Sequence, residues 1–127
     1  MRFQIVSIAD RGKPYLERLH LRVLVDSELA YLIVFATHYA AGLPNQVLSG
    51  TGAAYWFPTK QVKAGDSIVL YSGPGVNTET KSQDGSTNHF FHWGMPNTLW
   101  HKPESTIVVF EAFEWQTAAR PGPAPAT

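Results

Sequence analysis

Three histidines stand among four aromatic rings in HFFHWGMPNTLWH, His89 to His101. Three imidazoles are the ligand set of a zinc site that keeps an open position. Their spacing argues against a shared ion. In a strand, His89, Phe91 and Trp93 point one way while Phe90 and His92 point the other. Gly94 and Pro96 exclude the helix that would bring positions i and i+3 together. His89, His92 and His101 are therefore weak metal candidates, and no cofactor is implied. The ordinary expectation for them is hydrogen bonding and a modest pH response near neutrality.

Other chemistries have even less support. GPG at Gly73 to Gly75 lacks the lysine and following helix of a phosphate-binding loop. The carboxylates of Asp26 to Glu28 and Glu111 to Glu114 could form an acid and base pair only if brought together, and nothing in the sequence does so. There is no G-x-S-x-G elbow and no cysteine, which removes thiolate ligands, thiol nucleophiles and disulfides together. The expectation is that this is not an enzyme.

The elements that must position these residues belong to a chain of 127 residues, long enough for one domain with its own core. Ten basic residues balance ten acidic ones, so bulk charge draws it to neither nucleic acid nor anionic membrane. The opening MRFQIVSIADRGKPY is unlike a signal peptide, and the longest apolar run, Ala30 to Ala36, is far below the roughly 20 residues that span a bilayer. A soluble, cytoplasmic protein is expected.

Apolar spacing is strand-like nearly throughout. FQIVSIA (Phe3 to Ala9) opens the chain and is followed by a turn at Asp10 to Pro14. In Glu17 to Asp26, Leu19, Leu21, Val23 and Val25 share one face. Ala30 to Tyr39, continuously apolar at its start, reads as a central strand covered on both faces. A loop opens at Gly42, Ala53 to Phe57 is a short strand stopped by Pro58, and Ser67 to Ser72 alternates again after a turn at Ala64 to Asp66. Gly73 to Asn88 has almost nothing to bury and reads as a mobile surface loop. The sheet resumes at His89 to Gly94 and ends with Thr106 to Trp115. The Ala, Pro and Gly of residues 117–127 read as a disordered tail. About seven to nine short strands predict an all-β, immunoglobulin-like β-sandwich over residues 1–116, with a small barrel as the competing closure.

The order of Leu48 with Ser49, Phe57 with Pro58, the Gly65 turn, GPG with its Thr-rich continuation, Trp93 with Gly94, and Trp100 resembles the lamin tail domain family across about Asn45 to Glu114. The first half of the chain differs, with YLIVFATHY where such domains carry an acidic residue within a strand. The resemblance implies an immunoglobulin-like sandwich with scaffold and interaction roles. It makes Trp93 and Trp100 core anchors, alongside Phe57, Leu70 and Val108, with Gly94 admitting close backbone approach.

Two functions follow. The first is a binding module that uses loops at one end, chiefly Gly73 to Asn88 and Gly42 to Gly52, to contact a protein. Self-association is included, because 44% hydrophobic and 13% aromatic residues exceed what so small a sandwich must bury. A nucleic-acid partner would require Arg11, Lys13, Arg18 and Arg22, or Lys60, Lys63, Lys81 and Lys102, to share a face; no membrane partner is expected. The second is carbohydrate or small-ligand stacking on Tyr31, Tyr55, Trp56 or Trp115. Candidate contact residues are Tyr55, Trp56, Asn77, Thr78, Lys81 and Trp115.

Overall fold

A computed structural model describes residues 1–41, 43–47 and 52–122, with residues 43–46 as backbone alone. Its strands are β1 (Phe3–Ala9), β2 (Arg18–Val23), β3 (Ser27–Glu28), β4 (Leu32–Ala40), β5 (Leu43–Val47), β6 (Ala54–Trp56), β7 (Gln61–Val62), β8 (Ser67–Tyr71), β9 (Thr78–Lys81), β10 (Thr87–His92) and β11 (Ser105–Glu111). A single 3₁₀ turn at Leu29–Tyr31 is the one helical element among the described residues, capped by the Glu28 carboxylate accepting from the Ala30 N–H. No helix among those residues is long and apolar enough to cross a membrane.

The fold is an all-β sandwich. The larger sheet runs β1-β2-β8-β10-β9, and the smaller one β11-β4-β5 with β6 also paired to β4. Neighbours are antiparallel except β8 and β10, which run parallel with Ile68 opposite His89 and Leu70 opposite Phe91. Alternation turns Leu19, Leu21 and Val23 of β2, Ile68 and Leu70 of β8, and Phe91 of β10 inward. They meet Leu32 and Val34 of β4 and Ile107 of β11, with Phe57 and Trp100 completing the core. Phe57 and Phe91 meet edge to face at 5.1 Å, and Trp93 and Trp100 at 6.3 Å.

Several details depart from the sequence expectation. Among the described residues there are eleven strands rather than seven to nine: β5 pairs with β4 where a loop was expected to open at Gly42, β3 and β7 pair over only two residues, and β9 forms inside the polar stretch expected to be a mobile loop. There Thr78–Lys81 pairs with β10 from Thr87 to Phe90, and backbone pairing needs no apolar side chains, so composition hid it. β2 ends at Val23, leaving Val25 exposed rather than on the buried face. β4 is covered on one face only. Val108, expected in the core, lies half-buried on the outer face because Ile107 and Val109 take the inward positions. Gly94 serves conformation rather than close approach: its φ is +83°, and an added Cβ would meet nothing within 4 Å. Gly42, Leu48 to Thr51 and residues 123–127 lie outside the described residues, so the Leu48 and Ser49 marker and the last five residues of the expected tail fall there.

Leu70 sits at the centre of the core, in the middle strand of the larger sheet. Leu70→Ala should cost about 2–5 kcal/mol in urea unfolding, whereas Ile5→Ala, on an exposed edge position, should change stability by no more than about 0.5 kcal/mol.

Candidate functional site

Glu17, directly before β2, is 1% exposed. A carboxylate this deep persists only if its oxygens are fully hydrogen-bonded. Oε1 accepts from the Gly12 N–H at 2.9 Å and the Trp100 N–H at 2.9 Å; Oε2 accepts from the Ser72 hydroxyl at 2.5 Å and the Leu99 N–H at 2.8 Å. Three loops are thereby joined on one side chain: Asp10 to Leu16, the end of β8, and Met95 to His101. Burial pushes the Glu17 carboxyl up, but the bonds from Ser72, Gly12, Leu99 and Trp100 outweigh it and hold the group below the usual 4.5. Gly12 adopts φ +77°, where its N–H reaches the carboxylate and a side chain would crowd the His101 backbone.

A second buried carboxylate, Asp66, stands at the other end of β8. It accepts from the N–H groups of Thr87 at 3.0 Å and Lys63 at 3.1 Å, and its Oδ2 lies 3.0 Å from His89 Nε2. Burial raises its pKa and these bonds, His89 first, lower it further, for a net shift below the usual value.

The three candidate metal histidines are thus dispersed. His89 is in the core against Asp66, with Nδ1 3.8 Å from Glu79 Oε2. His92 lies on the outer face stacked on Tyr71, ring centres 5.0 Å apart and 9° from parallel, and burial lowers its pKa. His101 sits beside Thr98 at 3.4 Å. Among the described residues, no group of three or more histidine, aspartate and glutamate side chains is arranged to hold a metal ion.

The two outer faces of the sandwich differ in kind. On the larger sheet, Arg18, His20 and Arg22 alternate outward from β2, and Arg18 pairs with Asp10 at 2.7 Å and lies over Tyr71. On the smaller sheet the outward positions are apolar. Ile33 stands between Phe110 and Trp56, and Phe35 between Val108 and Ala54. Phe35 and Phe110 meet edge to face at 5.1 Å. Beyond β11 the chain carries Phe113 to 5.1 Å from Tyr31 and Trp115 to 5.3 Å from Trp56, their rings 80° apart. The Trp56 indole N–H donates to the Ala30 carbonyl at 2.7 Å, which fixes its orientation. Trp56, Phe110, Phe113 and Trp115 remain 48 to 55% exposed.

Of the candidate contact residues, the fold brings Trp56 and Trp115 together on this face. Tyr55 points the other way, half-buried against Phe57 and Trp93. The Asn77 side chain accepts from the His92 N–H, and Thr78 and Lys81 end β9, with the Lys81 ammonium donating to the Thr87 hydroxyl. The basic residues are partly spent internally: Arg11 donates to the Ser105 carbonyl, Lys13 and Arg18 lie on Asp10, and Lys60 lies 3.5 Å from Glu79.

Sequence reading missed two features. Glu17 looked like the polar start of a strand, and no local signal separates a buried glutamate from a solvated one. The apolar outer face did leave a signal, since Leu32 to Ala36 is apolar at successive positions, and both faces of that strand had to meet something. No family model matches this chain, and no curated protein matches it in sequence.

Glu17 and Asp66 set the acid behaviour. Each carboxyl has a folded pKa below its unfolded value, so its stabilising contribution is complete above about pH 4.5 and fades as pH falls through the folded value. Thermal melts should fall gently from pH 7 to 5, where the unfolded chain protonates His20 and His92 while burial keeps the folded imidazoles from doing so, and drop more steeply below 4.5. Glu17→Gln, which must turn an amide N–H₂ towards donors, should cost about 3 kcal/mol or more at pH 7 and flatten the acid limb.

Proposed function

We propose that this chain is a non-catalytic interaction module that docks a protein, in the first instance a second copy of itself, through the aromatic outer face of β6-β4-β11. The observation that carries this is the row of apolar residues Ile33, Phe35, Trp56, Val108 and Phe110 at outward positions of the smaller sheet, where Trp56 and Phe110 stay about half exposed among the described residues. Four half-exposed rings offer roughly 400 Å² of apolar surface, the size of the largest, often functional, patch on a monomer and about half of one partner's share of a standard interface. Ile33, Phe35, Tyr31 and Val108 extend it. A neutral apolar face is self-complementary without charge matching, which suits a two-fold contact. The lamin-tail-like order of Trp93, Gly94 and Trp100 is in keeping with an interaction role on an immunoglobulin-like scaffold. The loops remain a second contact region under this reading, with the sheet face as the anchor.

Carbohydrate stacking is the second reading, favoured by the perpendicular Trp56 and Trp115 pair with Glu114 and Gln116 beside it.

Light scattering on a gel-filtration column should give an oligomer for the native chain and a monomer for Phe110→Lys, with unchanged circular dichroism. Iodide should quench indole emission more strongly in the monomeric variant. A native monomer at every concentration tested would defeat self-docking, and retention on an oligosaccharide matrix lost with Trp115→Ala would favour the second reading.

A further inference from the structure

Both layers of the sandwich end in strands whose outer backbone groups meet no further strand among the described residues. An edge of that kind recruits other strands unless something blunts it. Most edges of this protein are blunted. β1 breaks register between Ile5 and Ser7, a bulge that disturbs the ladder. β9 reads TETK, polar and charged throughout; β5 contains Pro44, which has no N–H to give; and β6 is three residues long. β11, at the other margin of the smaller sheet, has none of these devices. It reads STIVVFE, without proline or lysine and rich in residues that favour strands, and it pairs with β4 in unbroken register from Ser105 to Glu111.

Which of its backbone groups are free follows from the two ends of the β4 and β11 ladder. There the Ala112 N–H donates to the Tyr31 carbonyl at 2.8 Å and the Tyr39 N–H to the Glu104 carbonyl at 2.9 Å. Bonded and non-bonded pairs alternate along an antiparallel ladder, so Thr106, Val108 and Phe110 turn their backbone groups to β4. Ile107, Val109 and Glu111 turn theirs outward. The chain does not return over them, because Phe113 and Trp115 carry it the other way, to Tyr31 and Trp56 on the β4 and β6 side. At the start of the strand the row is closed: the Ser105 N–H donates to the Lys102 carbonyl, and Arg11 donates to the Ser105 carbonyl. On the same flank, β1 is tied to both ends of β11 by that Arg11 bond and by the Arg2 N–H on Glu111 Oε1, and between them it leaves Val6 54% exposed.

We propose that this edge pairs with β11 of a second copy, antiparallel about a two-fold axis at Val109, so that the two smaller sheets become one continuous sheet. The register follows from the free groups. With Val109 facing its own copy, Ile107 faces Glu111 of the second chain and Glu111 faces Ile107, and each facing pair exchanges two N–H to carbonyl bonds. Every outward group of the three residues is then used, and no like charges stand opposite one another. Sliding the strands by two residues one way runs into Ser105, whose N–H and carbonyl are already bonded. Sliding the other way sets Ile107 against Phe113, which has left the strand for Tyr31. In the proposed register Val108 lies beside Phe110 of the second copy on the outer face, an aromatic and β-branched pair of the kind that stabilises neighbouring strands. The contact lies in the plane of the sheet and does not rest on the face-to-face docking proposed above, although Phe110 serves both.

Amide hydrogen exchange on the full chain, followed residue by residue, is the test. In a concentrated sample Ile107, Val109 and Glu111 should exchange roughly tenfold or more slowly than after dilution, approaching the rates of Val108 and Phe110. Val109→Pro removes an outward donor and no bond to β4, a placement an edge strand accepts, and it should abolish the slow exchange at Ile107 and Glu111. Trp56→Lys alters the aromatic face without touching β11 and should retain that slow exchange even where the faces do not dock. Fast exchange at the three outward amides at every concentration would overturn the edge pairing, and in an oligomeric chain it would leave the face docking standing. Slow exchange that persists in Val109→Pro, or that appears only when an extended peptide of unrelated sequence is added, would overturn it as well. Should Val109→Pro fail to fold, the concentration dependence in the native chain decides.

Discussion

The arrangement of one end of this sandwich depends on a single buried carboxylate. Strands hold each other through repeating backbone bonds, but loops have no such ladder, and each loop orders only if its polar groups find partners. Glu17 supplies four such acceptor positions at one point. Gly12, Ser72, Leu99 and Trp100 converge on it, from three segments with no regular pairing to one another. The carboxylate keeps its charge at neutral pH because four donors replace its hydration shell, and Trp100 enters the core beside it.

Asp66 does the same at the opposite end of β8, where it fixes the Lys63 turn, the start of β10 and the His89 ring. The middle strand of the larger sheet therefore runs between two satisfied anions. Its pairing with β2 on one side and parallel with β10 on the other places Leu70 opposite both Leu19 and Phe91, so the clamps at its ends set the register at which the core closes. His89, one of the three weak metal candidates in the sequence, is absorbed into one of these clamps.

The asymmetry of the two outer faces is the feature most telling for function. Both sheets bury one face, yet the larger one sets Arg18, His20, Arg22 and His92 outward around Val69, Tyr71 and Phe90, whereas the smaller one turns out phenylalanine, tryptophan, isoleucine and valine with no charged neighbour among them. Stability of the isolated domain gives no reason for that difference, since outward positions add little to a core that is already closed. The proposed association would supply one, because a ring surface fixed by Trp56 bonding to Ala30 loses little entropy on docking.

The sequence by itself determined the fold class and most strand positions. Period-two alternation in Arg18 to Val23 and Ser67 to Tyr71 is a property of the chain that any sheet must respect, and β1 begins and ends where its apolar run does. It also determined that His89 and His92 face opposite ways. What only the tertiary structure decided was which polar residues go inside and which apolar ones stay out. Glu17 and Asp66 are buried because donors distant in sequence, up to 83 residues away for Trp100, arrive around them. β9 exists because β10 offered it an edge, not because Thr78 to Lys81 favours a strand. The two apolar faces of β4 look alike in sequence, and only the packing of the second sheet against one of them leaves Ile33 and Phe35 on the outside. Burial is a property of what surrounds a residue, and surroundings are assembled from parts of the chain that no local window contains.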